Sequence, residues 1–489
     1  MGTHRFDFDL AVIGGGAAGL TVAAGAAQLG AKVLLAEREP ALGGDCLHYG
    51  CVPSKALIHC AAVRRQMTRA GEWGLPQPEL PPVDFARVAA RIRSVIAAIQ
   101  PHDSEERFCG LGVRVAFGPA SFVDDHTIDV DGARHTARHL VIATGSSPAP
   151  APVAGIDGLP PGVARTNRDI FSLDTLPASL VVLGAGPIAC EMAQAFARLG
   201  SHVTMVQRGG QILSREDKDM ADIVLHRLRA EGVAVLLDTR AVAVRPQGAG
   251  AAIAVAGPDG ARRELVADTL LVALGRVPNM DGLGLDNAGV AFSGRGVAVD
   301  ARLRTSRPHI FAAGDVTGAY QFTHAAGYEG GIVLANTVFR LPRKADYTWL
   351  PWATYTDPEL ASVGLNEKRA TAAGVAYTAW TEPFSRNDRA LATGQAEGRI
   401  KLLLGPKGKP LGVQIAGPHA GELINEWIAV AGGGVKLATL AGLAHPYPTL
   451  GEINKRVAGN VLADTLFSGK VKKALTFLFR LKGRACGDG

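Results

Sequence analysis

The feature that most limits what this chain can fold into is a glycine-rich turn that occurs twice, each time between an apolar strand pattern and a small-residue helix pattern. Residues 10–13 form a short apolar run that ends in Gly14-Gly15-Gly16-Ala17-Ala18-Gly19. A helix pattern follows to Gly30, and residues 33–37 read as the next strand, closing on Glu37. In this context the GxGxxG spacing has a mechanical meaning. Gly14 permits the tight turn, Gly16 lets a pyrophosphate approach the backbone, Gly19 lets helix pack on strand, and Glu37 can accept from a ribose hydroxyl. The free amides and dipole of the helix N-terminus favour the phosphates.

The pattern recurs with residues 180–183, Gly184-Ala185-Gly186-Pro187-Ile188-Ala189, a helix to Gly200 and a strand at 203–206. Ala189 in the third glycine position is a permitted variant. This strand ends in Gln207-Arg208 instead of an acid. A guanidinium in place of a carboxylate suits a 2′-phosphate, so NADPH is predicted over NADH, with Arg215 a candidate for the same pocket. Two such units imply two dinucleotides, and a chain that holds two most simply moves hydride from one to the other. Residues 140–145, 270–275 and 310–315 are apolar strands ending near glycine, as expected where backbone passes close to a ligand. Asp315 is placed to hydrogen-bond a ribityl or ribose hydroxyl.

The length, 489 residues, suggests about three domains. A composition 47% hydrophobic, with 60 glycines and 28 prolines, excludes a disordered or fibrous chain. Residues 11–31 carry no charge, but six glycines within them and Asp7 and Asp9 in front argue against a membrane span or a secretory signal, so the expected compartment is the cytoplasm. A net charge of +6 gives no reason to expect nucleic acid. That charge is concentrated: residues 470–489 hold six bases and one acid, a net of +5, which leaves the first 469 residues at +1. Val471, Ala474, Leu475, Leu478 and Leu481 stand at helical spacing there. A basic amphipathic helix is predicted, either packing its stripe on a dimer or lying on an anionic membrane surface.

Six cysteines in so long a chain do not make a disulfide scaffold. Cys46 and Cys51, in GGDCLHYGCVPSK (43–55), match no usual zinc spacing and have no second pair nearby. They open a predicted helix running through Lys55 to Met67, where amides and dipole stabilise a thiolate. Residues five apart in an ideal helix have Cα atoms about 8.6 Å apart, whereas a disulfide needs less than about 7 Å. If the two bond, the backbone between them must be irregular, and Gly50 is placed to allow it. A strained bond of that kind is readily reduced. Cys60, Cys109 and Cys190 are read as packing residues.

With these segments, Gly275-Arg276-Val277-Pro278-Asn279, Ala313-Gly314-Asp315 and Thr356-Asp357-Pro358-Glu359 in view, the chain resembles, over nearly all its length, the flavoprotein disulfide reductases. This is the family of dihydrolipoamide dehydrogenase, glutathione reductase and mercuric reductase. The resemblance implies an α/β fold of two Rossmann-like dinucleotide-binding domains and a C-terminal α+β dimerisation domain. It implies FAD at 1–150 and 278–345, NAD(P) at 151–277, dimerisation at 346–469 and a tail at 470–489. It further implies a homodimer with an active site shared across subunits, and a redox-active Cys46–Cys51 disulfide in which Cys51 is the flavin-side thiolate and Cys46 the outer thiol. By the same resemblance Lys55 and Glu191 form an ion pair beside the flavin. Gly44, Thr144, Gly145, Gly314, Asp315 and Ala325 belong to the FAD site, and Gly275 to the nicotinamide side.

One position departs from the disulfide-reducing members, which carry His-Pro-Thr with a Glu five residues after the His. Here His445-Pro446-Tyr447-Pro448-Thr449-Leu450-Gly451-Glu452 puts Tyr447 five before Glu452. A phenol titrates near 10 and an imidazole near about 6.5, so Tyr447 is a poor proton carrier at neutral pH but can donate a hydrogen bond or stabilise an oxyanion. His445, on the other face of an extended segment, is the candidate substitute base. Mercuric reductases have tyrosine at this place, and reducing a bound metal ion needs no proton delivered to a leaving thiolate. Residues 193–200 and Gln207-Arg208 are similar to that branch as well. Their N-terminal metal-binding domain is missing from this sequence, and their C-terminal cysteine pair is reduced to Cys486.

The expected reaction therefore takes electrons from NADPH through FAD and the cysteine pair to a soft metal ion or to a small thiol-reactive or disulfide acceptor. Cys46 and Cys51 would be transient soft-metal ligands, with no structural metal. The alternatives are a dihydrolipoamide dehydrogenase using NADH and a membrane-surface donor to quinone or a partner protein.

Overall fold

The computed structural model describes residues 6–483 and 485. The chain divides into two compact units, residues 1–212 with 228–347 and residues 213–227 with 348–489.

In the first unit, β1 (Phe8–Ile13), β2 (Val33–Glu37), β3 (Val113–Phe117) and β6 (Ala133–Ile142) form a parallel sheet in the order β3-β2-β1-β6, and the strand Ile310–Ala312 pairs parallel to β6. Two short strands, β4 (Ala120–Phe122) and β5 (Thr127–Val130), continue antiparallel from β6. Every residue of β2 is buried, which is why VLLAE reads as a continuous apolar run rather than an alternating one. Helix α1 (Ala17–Gln28) makes the β1-to-β2 crossover. Its small residues let it lie close against the helix Thr323–Thr337. A Cβ at Gly25 would stand 2.4 Å from Leu334 Cδ2, and one at Gly330 would stand 2.9 Å from the Ala18 carbonyl oxygen.

The same unit holds a second parallel sheet, in the order Ala234–Leu236, His202–Val206, Ser179–Leu183, Thr269–Val272, Ala164–Arg165. The helix Pro187–Leu199 opens with Pro in its first turn, where no amide is lost from the ladder, and stops at Gly200, whose φ is +122°. A three-stranded antiparallel sheet, Arg240–Gln247, Gly250–Ala256 and Arg262–Ala267, is inserted before the last crossover strand. Ser146–Pro148 and Arg276–Pro278 pair antiparallel and carry the chain between the two nucleotide folds.

The second unit is a five-stranded antiparallel sheet in the order Pro351–Thr354, Glu359–Gly364, Pro410–Gly417, Arg399–Leu404, Thr378–Pro383. The helices Ala420–Gly432 and Glu452–Leu466 complete its core. Trp427 is fully buried and donates its indole N–H to Asn454 Oδ1 at 2.8 Å. Two charged groups of this unit, Glu216 and Lys401, are buried and paired. Glu216 accepts from Trp352, Ser362 and Gln414, and the Lys401 ammonium sits 3.3, 2.5 and 2.5 Å from Asp217, Asp219 and Glu367. Pairing of this kind offsets the cost of taking a polar or charged group out of water.

The basic tail forms the helix Gly469–Phe479, none of whose residues is buried. It ends at Arg480, whose φ is +50°, so Leu481 is not part of the helical stripe expected from its spacing. Cys486 lies outside the described residues. Among the described residues no helix is long and apolar enough to cross a membrane.

Candidate active site

The cysteine segment is broken where the distance argument requires. Helix α2 (Gly44–His48) contains Cys46, and helix α3 (Cys51–Met67) begins at Cys51. Cys46 is therefore not on the helix that carries Lys55, a correction to the single helix expected there. Between the two, Gly50 has φ −127° and ψ −109°. A Cβ on Gly50 would stand 3.0 Å from the Asp45 carbonyl oxygen and 3.3 Å from Cys46 Cα, so a side chain there would crowd the fold-back.

Both cysteines are free thiols. The Cys51 thiol is lowered to about 6, first by the hydrogen bond from Cys46, then by one from Thr323 and by the nearby Lys55 charge, against the opposing effects of burial and Glu191. The Cys46 thiol moves up, because it donates to Cys51 and is partly buried. One sulfur is thus poised as a thiolate near neutrality while the other keeps its proton. Thr323 Oγ lies 3.3 Å from Cys51 Sγ, from the first turn of its own helix. It is 272 residues away in sequence, and no motif marked it. Lys55 Nζ donates to Glu191 Oε2 at 2.9 Å, and Glu191 is buried.

The glycine turns have the predicted shapes. Gly14 has φ +110°, and a Cβ there would be 2.3 Å from the Ala143 carbonyl oxygen. At Gly19 a Cβ would be 1.9 Å from the Gly14 oxygen, so helix and turn can touch only with glycine. A Cβ at Gly16 would meet only Gly44 Cα, at 3.9 Å, and the N-terminus of α1 has no side-chain cap. The backbone at Gly16 is therefore open to the close approach of a pyrophosphate at a helix N-terminus, and these residues fit the phosphates of FAD. Glu37 is buried at the end of β2, with its carboxylate accepting from the Gly15 and Glu39 amides at 2.6 and 2.8 Å.

Thr144 Oγ donates to the Asn279 carbonyl, and Asn279 returns a bond to the Thr144 carbonyl, which ties Gly145 and its φ of +69° into the turn. Asp315 Oδ2 accepts from Ser146 Oγ at 2.5 Å, and burial raises its pKa. Arg276 lies 3.1 Å from Asp45 and 3.8 Å from Asp315, and so joins the residue next to Cys46 to the strand end at Gly314. Ala325 is fully buried in the first turn of the helix that presents Thr323. A further residue that no motif marked is Glu329, fully buried. It accepts from the Gly314 amide at 2.6 Å and from the Tyr347 hydroxyl at 2.7 Å, and burial raises its pKa.

The second turn repeats the first. Gly184 has φ +107° with a Cβ position 2.4 Å from the Ala273 carbonyl oxygen, Gly186 opens onto free space, and Ala189 is buried in the helix. Gly275 has φ +124° with nothing within 4 Å of its Cβ position. Gln207 donates to the Gln211 carbonyl at 3.1 Å. Arg208 lines a cleft of about 320 Å³ with Arg240, Asp238 and Gly257. Arg240, absent from the sequence-based candidates, thus stands on the same cleft. Arg215 does not line it, and its carbonyl accepts from Asn366.

In the second unit, Tyr447 is 70% exposed and donates its hydroxyl to Asp388 Oδ2 at 2.9 Å. That bond, above all, raises its pKa. Glu452, expected five residues on as its partner, instead accepts from the Thr449 amide at 3.4 Å. His445 Nε2 pairs with Glu426 Oε1 at 2.9 Å, so an imidazole–carboxylate pair exists, built with a carboxylate the sequence did not single out. Of the remaining cysteines, Cys190 is buried and Cys60 half-buried, but Cys109 is exposed, against its reading as a packing residue.

Two family models cover this architecture: pyridine nucleotide-disulphide oxidoreductase over residues 8–330 and the dimerisation domain of the same family over residues 350–458. The chain belongs to the pyridine nucleotide-disulphide oxidoreductases. It is 36% identical to a dihydrolipoyl dehydrogenase of Bacillus subtilis over 91% of this chain and 96% of that one. It is equally 36% identical to a mercuric reductase of Streptomyces lividans over 94% and 97%. Among solved structures, LpdA from Mycobacterium tuberculosis matches with a TM-score of 0.84 at 28% identity, over 92% of this chain and 99% of that one. The HOCl-induced flavoprotein disulfide reductase RclA from Escherichia coli matches at 0.82 and 28%, over 93% and 100%. As a pyridine nucleotide-disulphide oxidoreductase the chain is an enzyme, its cofactors are FAD and a nicotinamide dinucleotide, and its dimerisation domain supports a homodimer.

Proposed function

We propose that this enzyme uses NADPH and FAD to drive the Cys46–Cys51 pair and delivers two electrons to a soft metal ion held between those sulfurs. FAD, when bound, would take hydride from the nicotinamide and supply its electrons to the sulfur pair. Residues 1–150 and 278–345 would hold it, residues 151–277 the nicotinamide nucleotide, and residues 346–469 the other subunit. The chain's own part is to keep Cys51 as a thiolate through Cys46, Thr323 and Lys55, to offer Cys46 as the outer sulfur, and to place Arg208 and Arg240 for a 2′-phosphate. Two guanidiniums on one cleft at the end of the second nucleotide strand favour NADPH. For a divalent soft ion the balance is NADPH and the ion going to NADP⁺, a proton and the metal, with no proton delivered to sulfur.

The observation that carries this reading is the Tyr447 hydrogen bond to Asp388. A phenol held protonated by a carboxylate acceptor cannot shuttle protons to a leaving thiolate, which reduction of a disulfide requires. To donate to a sulfur or anion of the other subunit's cysteine pair, its one proton would turn from Asp388 to that group. Soft thiolates are also the ligands expected for a soft ion. A second reading, a dihydrolipoyl dehydrogenase-like activity, is favoured by the His445–Glu426 pair, which has the makings of a proton relay. NADPH consumption by the FAD-loaded dimer with Hg(II) or lipoamide as sole acceptor separates the two. Metal-dependent turnover with little lipoamide reduction supports the first. Faster lipoamide turnover with a preference for NADH sinks it in favour of the second.

A further inference from the structure

The helix Gly469–Phe479 differs from the other long helices of its unit in burying no residue. At about 100° per residue, Val471, Ala474, Leu475, Leu478 and Phe479 fall within an arc of about 140°, broad enough for an apolar face. Phe477, 84% exposed, stands outside the arc, and Leu466, Phe467 and Leu481 extend exposed apolar surface beyond both ends of the helix. Lys470, Lys472, Lys473, Arg480 and Lys482 are exposed, and none has an ion-pair partner among the described residues. Asp464 and Asp488 bracket a run of twenty-three residues without an acid.

We propose that this tail docks the enzyme on an anionic lipid bilayer, with the apolar arc at the acyl boundary and the bases among headgroup phosphates. The charge selects that occupant. The five bases meet no neutralising group in their own surroundings, while the other 469 residues of the chain sum to +1 and offer a second copy no anionic field to attract them. The helix is about 16 Å long, half of a hydrocarbon core of about 30 Å, so it lies in the interface and does not span. Lysine stems reach from the sides of such a face to the phosphates while their methylenes add to the apolar contact. In a dimer whose two tails face one side, both would engage the same surface, which raises the effective affinity without further contacts.

The test is flotation of the FAD-loaded full chain with vesicles of phosphatidylcholine alone or mixed with phosphatidylglycerol. It is repeated for the chain ending at Ser468 and for K470E/K472E/K473E. The full chain is expected on phosphatidylglycerol vesicles only, with binding that weakens as salt is added. Charge reversal lowers the affinity by about 100-fold or more, at the energy each base contributes near an anionic surface. The shortened chain stays in solution, and all three forms oxidise NADPH equally with a soluble acceptor. Failure of the full chain to float, or equal flotation of either variant, overturns the proposal. So does a shortened chain that falls to monomers while the full chain ignores both vesicles, since the second subunit would then be what covers the helix.

Discussion

Replacing Thr323 with Val removes the hydroxyl 3.3 Å from Cys51 Sγ and leaves the side-chain shape nearly unchanged. Cys51 stands at about 6 against an ordinary value of 9.0. A hydrogen bond to a charged group contributes about 1.5–3 kcal/mol, and one pKa unit is about 1.36 kcal/mol. For a long bond to sulfur the lower end applies, so Thr323→Val should raise the thiolate midpoint by about one unit. The sign follows from which form is bonded. The hydroxyl donates to the thiolate, so losing it favours the thiol, and the two proteins differ most between their midpoints and converge at higher pH. The assay is a pH titration of the two-electron-reduced enzyme under anaerobic conditions, following thiolate absorbance. Thr323→Ser, which keeps the hydroxyl, should titrate close to the wild type. An unchanged midpoint in Thr323→Val, or an equal shift in Thr323→Ser, would rule out the hydroxyl as a source of the lowered thiol.

Lys55→Met takes the ammonium from the buried Glu191 carboxylate and should destabilise the fold by about 1–2 kcal/mol in urea unfolding, while also raising the Cys51 midpoint. Arg208→Glu with Arg240→Glu should raise KM for NADPH by about 100-fold and leave KM for NADH nearly unchanged; equal effects on both nucleotides would remove the cleft from the account. Lys401→Met leaves Asp217, Asp219 and Glu367 facing one another and should cost about 3–5 kcal/mol at neutral pH, with Tm as the readout.

What could be read in advance was local. The turn at Gly14–Gly19 is set by contacts within a few residues, and the chemistry of Gly14 and Gly19 follows from backbone atoms a Cβ would strike. The break at Gly50 was legible only in part, since the spacing demands it only if residues 46 and 51 bond and otherwise allows one helix. Thr323, Glu329 and Arg240 were not legible, because each acts on a group far away in sequence and ordinary Thr, Glu and Arg positions carry no local mark. The Tyr447 segment shows the same limit. The substitution was visible, but the acceptors Asp388 and Glu426 come from other elements of the unit, and only the folded chain selects them over Glu452. In the tail, periodicity counted one residue too many, because a left-handed turn at Arg480 ends the helix before Leu481.

The proposed function requires Cys51 to be a thiolate electronically coupled to the flavin and Cys46 to be the sulfur facing the acceptor. Anaerobic titration of the FAD-loaded enzyme with NADPH, monitored by visible absorbance, tests this directly. In the wild type two electrons should open the disulfide and bring up a long-wavelength thiolate-to-flavin band; in Cys46→Ser, which has no disulfide to take those electrons, the band should stand before NADPH is added and bleach as the flavin is reduced, and in Cys51→Ser it should be absent throughout. Full bleaching of the wild-type flavin with no such band, or a band that survives Cys51→Ser, would contradict the proposed function.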